Sequence, residues 1–289
     1  MEQKSLSISL PSFGNLLKRV FSSYKSKFWT LTGIMIFSFV ASIVVAIIGS
    51  LVLFFAFPGS IVISEMAETG GATALLELIL TYPLPLIIAI VLIWLAMIFL
   101  GLWSNVAALS VISQENLKIK QAISSSLKKI TPYFWISLMS FLLVIGAFGL
   151  FFIPGVIFAI WFLFSTYVFI GEGRKGMSAL FRSKQLMKRM GWTMFWRLLV
   201  VLFVLIIVSG IASSFPMGST ILGFIITPLF HVFMFSSYKD IAEAKKDIAF
   251  EEPKKSEKWK IIIPSVLGYI IIIALMFTGL FLTLGAYLR

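Results

Sequence analysis

Few residues of this chain could do chemistry, and their spacing narrows what that chemistry is. Glu172 closes a long apolar run, and Arg182 follows on a segment of helical periodicity. A carboxylate and a guanidinium so placed can pair across a turn and fix one helix against its neighbours, the alternative being a solvated turn. His231 is the single histidine, three residues after Pro228 in an apolar stretch. Ionisable groups among apolar residues are functional candidates, but a lone histidine without an acidic neighbour is more often a neutral hydrogen-bonding group between helices. One histidine excludes any site needing two imidazoles, and zero cysteines exclude disulfides and thiolate metal sites. There is no H-E-x-x-H, G-x-x-x-x-G-K-[ST] or G-x-S-x-G, and no carboxylate pair inside an apolar run. The expectation is a non-enzyme with no catalytic residues, no cofactor and no metal. A serine hydrolase working within the membrane through His231 is a distant alternative.

The elements that would position these residues are membrane spans. Hydrophobic residues make up 60% of the 289 positions and charged residues only 12%. So few charges cannot form a water-soluble shell, so lipid is the main solvent. A helix crossing about 30 Å of hydrocarbon needs roughly 20 apolar residues. Seven stretches qualify: Phe28–Phe57, Pro85–Ile112 (a start nearer Leu76 is the alternative), Trp135–Ile153, Val156–Ile170, Phe195–Phe215, Thr220–Ser236 and Ile261–Leu288. Pro154-Gly155 divides the third from the fourth as a tight hairpin, and Pro216-Met217-Gly218 divides the fifth from the sixth. The first run is too long for a cleaved signal and reads as a retained anchor. This predicts an all-α polytopic bundle with a six-span domain over 1–245, a charged linker over 246–260 and an appended seventh span over 261–289.

Charge orients the bundle. With the N-terminus inside, 23 of the 24 Lys and Arg residues fall on one side, and only Arg289 falls on the other. The one long outer loop, Pro58–Pro83, carries Glu65, Glu68 and Glu77 and no basic residue. That distribution obeys the positive-inside rule and predicts a bacterial-type inner-membrane protein with a cytoplasmic N-terminus and an external C-terminus. It also makes lipid headgroups a simpler partner than nucleic acid for the net charge of +12.

Three inner segments repeat. Residues 13–29 align without gaps to 119–135, a shift of 106, and more weakly to 176–192, a further shift of 57. Apolar residues at 13, 16, 17, 20, 21, 24 and 28 make one helical face. The second copy matches with Ile119, Ala122, Ile123, Leu127, Ile130 and Phe134, Ser126 being the exception. Each copy precedes a two-span hairpin. Amphipathic helices of this kind lie at the lipid boundary. The candidate headgroup-contacting residues are therefore Lys18, Arg19, Lys128, Lys129, Arg182, Lys188 and Arg189, with Trp29, Trp135 and Trp192 at headgroup level. The plainer alternative is that these helices only brace the bundle.

The run from Pro154-Gly155 through Trp161, Glu172-Gly173, Ala179-Leu180, Arg182-Ser183 and Lys188 to Trp192 resembles the membrane domain of the glycerophosphoryl diester phosphodiesterase family. It is also similar to related bacterial inner-membrane proteins. The resemblance is close over about 150–200 and looser over 10–245, and it implies a six-span bundle from which the appended span departs. The hydrolytic activity in that family's name belongs to a separate soluble barrel using several histidines, so the resemblance carries no chemistry onto this chain. The function expected is binding of anionic headgroups or organisation of a membrane-protein partner, with oligomeric state open. A lipid-translocating or other transporter is the alternative, with helix breaks at Pro83, Pro85, Pro154 and Pro228 as its possible substrate-site signal.

Overall fold

The computed structural model describes residues 10–56, 83–114 and 119–287. The outer loop with its three glutamates, the alternative start at Leu76, Lys118, the Ile119 side chain and Arg289 lie outside them. The described residues form helices only: α1 (Phe13–Ala56), α2 (Pro83–Ser113), α3 (Ile119–Leu150), α4 (Phe152–Phe162), α5 (Ser165–Glu172), α6 (Gly176–Met187), α7 (Gly191–Ser213), α8 (Gly218–Ala244) and α9 (Lys255–Tyr287). Seven membrane-length apolar helices result, with α4 and α5 together making the fourth. The chain is a multi-pass integral membrane protein built as an all-α bundle.

Several boundaries differ from the sequence expectation for local reasons. Pro83 and Pro85 begin α2, where missing backbone donors cost nothing because the first turn has no intrahelical acceptors. Pro154 does the same in α4. The chain reverses earlier, at extended Phe151, so Pro154-Gly155 is the helix's first turn and not the loop. Gly155 lies there against the Phe148 ring, which leaves no room for a Cβ.

The first two amphipathic copies are continuous with the spans they precede. The helix runs on through Pro132 in α3, and in α1 the buried stripe runs straight through: Leu16, Val20, Tyr24, Leu31 and Ile34. At 44 residues α1 is about 66 Å long, far more than the hydrocarbon requires. In α3 the buried face is Ala122, Ser126, Ile130, Tyr133 and Ile136, while Leu127 and Phe134 face outward. The expected apolar face is thus rotated. Ser126, the exception in the repeat, is fully buried and donates to the Ile123 carbonyl at 2.8 Å. Small residues let helices approach, whereas leucine is equally content in lipid.

The fourth span breaks between α4 and α5. Leu163 N–H turns back to the Ile160 carbonyl, which leaves Phe164 N–H without its helical acceptor. Ser183 of α6 mends the break by accepting from Phe164 N–H (3.0 Å) and donating to the Trp161 carbonyl (2.7 Å). Outer helix α9 packs along α3 through small residues. Ser265 donates to the Leu143 carbonyl at 2.9 Å, Tyr269 donates to Leu142 at 2.9 Å, and Gly268 meets Gly146 backbone to backbone.

Candidate functional site

The densest polar cluster forms where α5, α6 and α8 end together. Gly173, left-handed at φ +72°, closes α5 with its N–H on the Phe169 carbonyl, so Glu172 projects from the last turn. Arg182 Nε donates to both carboxylate oxygens of Glu172, at 3.1 and 3.2 Å, and Arg174 Nε donates to Oε2 at 3.0 Å. The Tyr238 hydroxyl of α8 adds a fourth bond, to Oε1 at 3.2 Å. One carboxylate thus accepts four hydrogen bonds from three donor groups. Arg182 also reaches Gln185 Oε1 at 2.9 Å and is only 8% exposed.

The linker is pinned to this cluster. Gln185 Nε2 donates to the Ala249 carbonyl (3.0 Å), Ser178 to Glu252 (2.8 Å), and the Arg174 guanidinium stacks 4.0 Å over Phe250. The linker is therefore held over 248–252 by Arg174 and by side chains of α6.

Lys245 completes the cluster and was not among the sequence candidates. Its ammonium donates to the carbonyls of Gln185, Leu186 and Lys188 at 3.0, 2.7 and 2.6 Å, capping the end of α6. A cation suits that negative helix end. Lys245 follows Tyr238 and Ile241 at spacings of seven and four, which puts it on their face of α8, and the structure shows that face to be buried. Lys27 plays the same part for α2, donating to the carbonyls of Val111, Ile112 and Gln114.

Burial, then the positive Arg182, Lys188 and Arg189, push Lys245 down to about 8 from its ordinary 10.5. Its folded pKa lies below its unfolded one, so between pH 8 and 10.5 the unfolded chain holds more protons and stability rises with pH. Below pH 8 both states are charged and this dependence vanishes. We expect the unfolding midpoint of wild type minus that of Lys245→Met to be flat up to pH 8 and to climb above it. A flat difference throughout would show that the three carbonyl bonds hold the ammonium charged.

No protein-family model, curated protein or solved structure matches this chain. What it binds must therefore be argued from its own residues, and these divide into two sets. Arg182 is removed from the headgroup candidates: it is buried and committed to Glu172. The α6 part of the third copy shares this fate, because Ala179, Leu180 and Ser183 are fully buried and Lys184 folds back 4.2 Å over Trp161. Arg19 is half committed, bonded to Asp240 of α8 at 2.6 Å while still well exposed.

Lys18, Lys128, Lys188 and Arg189 are exposed and Lys129 is half-buried, and their side chains make no hydrogen bond or ion pair among the described residues. The aromatic partners point outward as well, with Trp29 82%, Trp135 57% and Trp192 64% exposed. His231 sits apart from both sets. Its ring pairs with Asn105 Oδ1 at 2.8 Å and, at 3.5 Å, with the Tyr167 hydroxyl, joining α8 to α2 and α5. Asn105 is itself oriented by its 2.7 Å bond to the Gly101 carbonyl. No group of three or more His, Asp or Glu residues suited to a metal occurs among the described residues.

Proposed function

We propose that this membrane protein binds anionic phospholipid headgroups through the basic end of its bundle and catalyses no reaction. The observation that carries this reading is the outward-facing set Lys18, Lys128, Lys129, Lys188 and Arg189 beside exposed Trp29, Trp135 and Trp192. Each such cation near an anionic surface contributes about 1 kcal/mol, and the indole rings favour the headgroup zone. The internal bonds of Arg174, Arg182, Lys27 and Lys245 leave those groups as braces, so the brace reading and the lipid reading apply to different residues.

The charge distribution supports an orientation with this end in the cytoplasm of a bacterial-type inner membrane, the C-terminus lying outside. We also read the chain as a relative of the glycerophosphoryl diester phosphodiesterase membrane domain. What supports this is the shared course of residues 150–200, in which Ser183 and Arg182 have evident structural work. Organisation of a membrane-protein partner is the variant of this reading in which the same cations meet protein. Against translocation of a polar solute, two clefts among the described residues, one between α1, α7 and α8 and one between α1 and α2, are lined by apolar side chains.

Native mass spectrometry of gently extracted protein tests the proposal. One anionic lipid class should stay bound to the wild type. It should be lost from the quadruple variant Lys128→Gln, Lys129→Gln, Lys188→Gln, Arg189→Gln. Wild type that sheds all lipid but keeps a second polypeptide would sink the lipid reading in favour of a scaffold.

A further inference from the structure

The N-terminal segment of α1 does not lie flat on α7. A cavity of about 200 Å³ separates them, floored by α8 and lined only by apolar side chains, among them Phe13, Leu17, Val201, Leu205, Leu229 and Phe233. It opens outward at exposed Phe21, Val200 and Val204. Met194 is the fully buried residue of α7, and beyond it Leu198 and Val201 are only partly buried against the core. Protein interiors do not keep such gaps; an apolar cavity this large stays dry and takes apolar guests. A polypeptide helix, some 10 Å across, is too wide for it. In a bilayer the guest of the right width is a hydrocarbon chain.

The mouth of the cavity is basic. Arg197, Val200, Val201 and Val204 follow one another at spacings of three and four on one face of α7, which puts Arg197 at the end where α1 begins. Its Nη2 donates to the Pro11 carbonyl at 2.7 Å, using one of the five N–H donors of a guanidinium. Lys18, next to cavity-lining Leu17, is exposed. The nearby acid, Asp240, is neutralised by Arg19.

We propose that this cleft is a lipid site, holding one acyl chain of an anionic phospholipid whose phosphate is received by Arg197 and Lys18. The choice of an anionic lipid rests on the headgroup-binding reading above, but the site is separate from Lys128, Lys129, Lys188 and Arg189. The guest fills the gap between α1 and α7, and the phosphate ties Arg197 to Lys18 across its mouth.

The test uses the full chain in vesicles doped with phosphatidylglycerol or phosphatidylcholine bearing a photoactivatable diazirine in the acyl chain, with cross-links mapped by peptide mass. Cross-links should concentrate on 200–205 and 226–233 and favour phosphatidylglycerol about five-fold for each engaged charge. Filling the cleft with Val201→Trp should abolish them while leaving diffuse labelling of α9 unchanged. Arg197→Gln, which keeps the cleft open, should lower the preference between the two lipids about five-fold. Labelling spread evenly over the lipid-facing helices, or unaltered by Val201→Trp, would overturn the site. The quadruple variant separates the two ideas: if it still retains anionic lipid while cleft labelling persists, the headgroup-binding set fails and the cleft stands.

Discussion

Replacing Glu172 by alanine is expected to lower stability by about 3 kcal/mol, roughly 6 °C in the unfolding midpoint of a chain this size. The cost does not come from an ordinary surface ion pair, worth less than 1 kcal/mol. Side-chain exposure is 21% for Glu172 and 10% for Arg182, so removing the carboxylate leaves a guanidinium among apolar neighbours with Gln185 as its main remaining partner. Arg174 is better placed to adapt, having Phe250 and Glu252 within reach. Arg182→Ala should cost a similar amount. The double replacement should cost clearly less than the sum, because neither charge is then left unpaired. Additive losses in detergent melts would show that the pair is not coupled. Glu172→Gln separates charge from shape, since it keeps the Tyr238 contact and loses the attraction to both arginines.

Gly268→Leu should detach α9 from α3. A Cβ at Gly268 would overlap the Gly146 carbonyl, and one at Gly146 would overlap the backbone of Ser265. Backbone cannot yield as a side chain tip does, so the penalty falls at or above the upper end of overpacking, about 3 kcal/mol. The bonds from Ser265 and Tyr269 to α3 would be lost with it. The cysteine-free chain allows a direct reading. Leu142→Cys with Tyr269→Cys should be bridged by a short bis-maleimide in the native background and not when Gly268 is leucine. Equal bridging in both would mean that another contact holds the seventh helix.

These two features differ in how far the sequence disclosed them. Glu172 and Arg182 were legible as a pair because a charged turn at the end of an apolar span has few other uses. Gly146 is one small residue in an apolar run, and nothing in a single sequence names Gly268 as its opposite. The spans were legible from apolar length, which lipid enforces. Their buried faces were not, because lipid accepts leucine as readily as a core does. The rotated face of α3, with Ser126 inside and Leu127 outside, shows this inversion. Lys245 and Lys27 were hidden for a related reason: basic residues near span ends usually face headgroups, and here the nearest acceptors are the carbonyls of neighbouring helix ends. The broken fourth span was equally hidden, since its repair depends on Ser183 arriving from another helix.

The headgroup proposal stands on one orientation, and cysteine labelling in intact cells tests it most directly. With the N-terminus inside, Glu68→Cys should react with an impermeant maleimide added from outside, and Ser125→Cys should react only after the membrane is opened. The reverse pattern would put Lys18, Lys128, Lys129, Lys188 and Arg189 on the outer face and contradict the account.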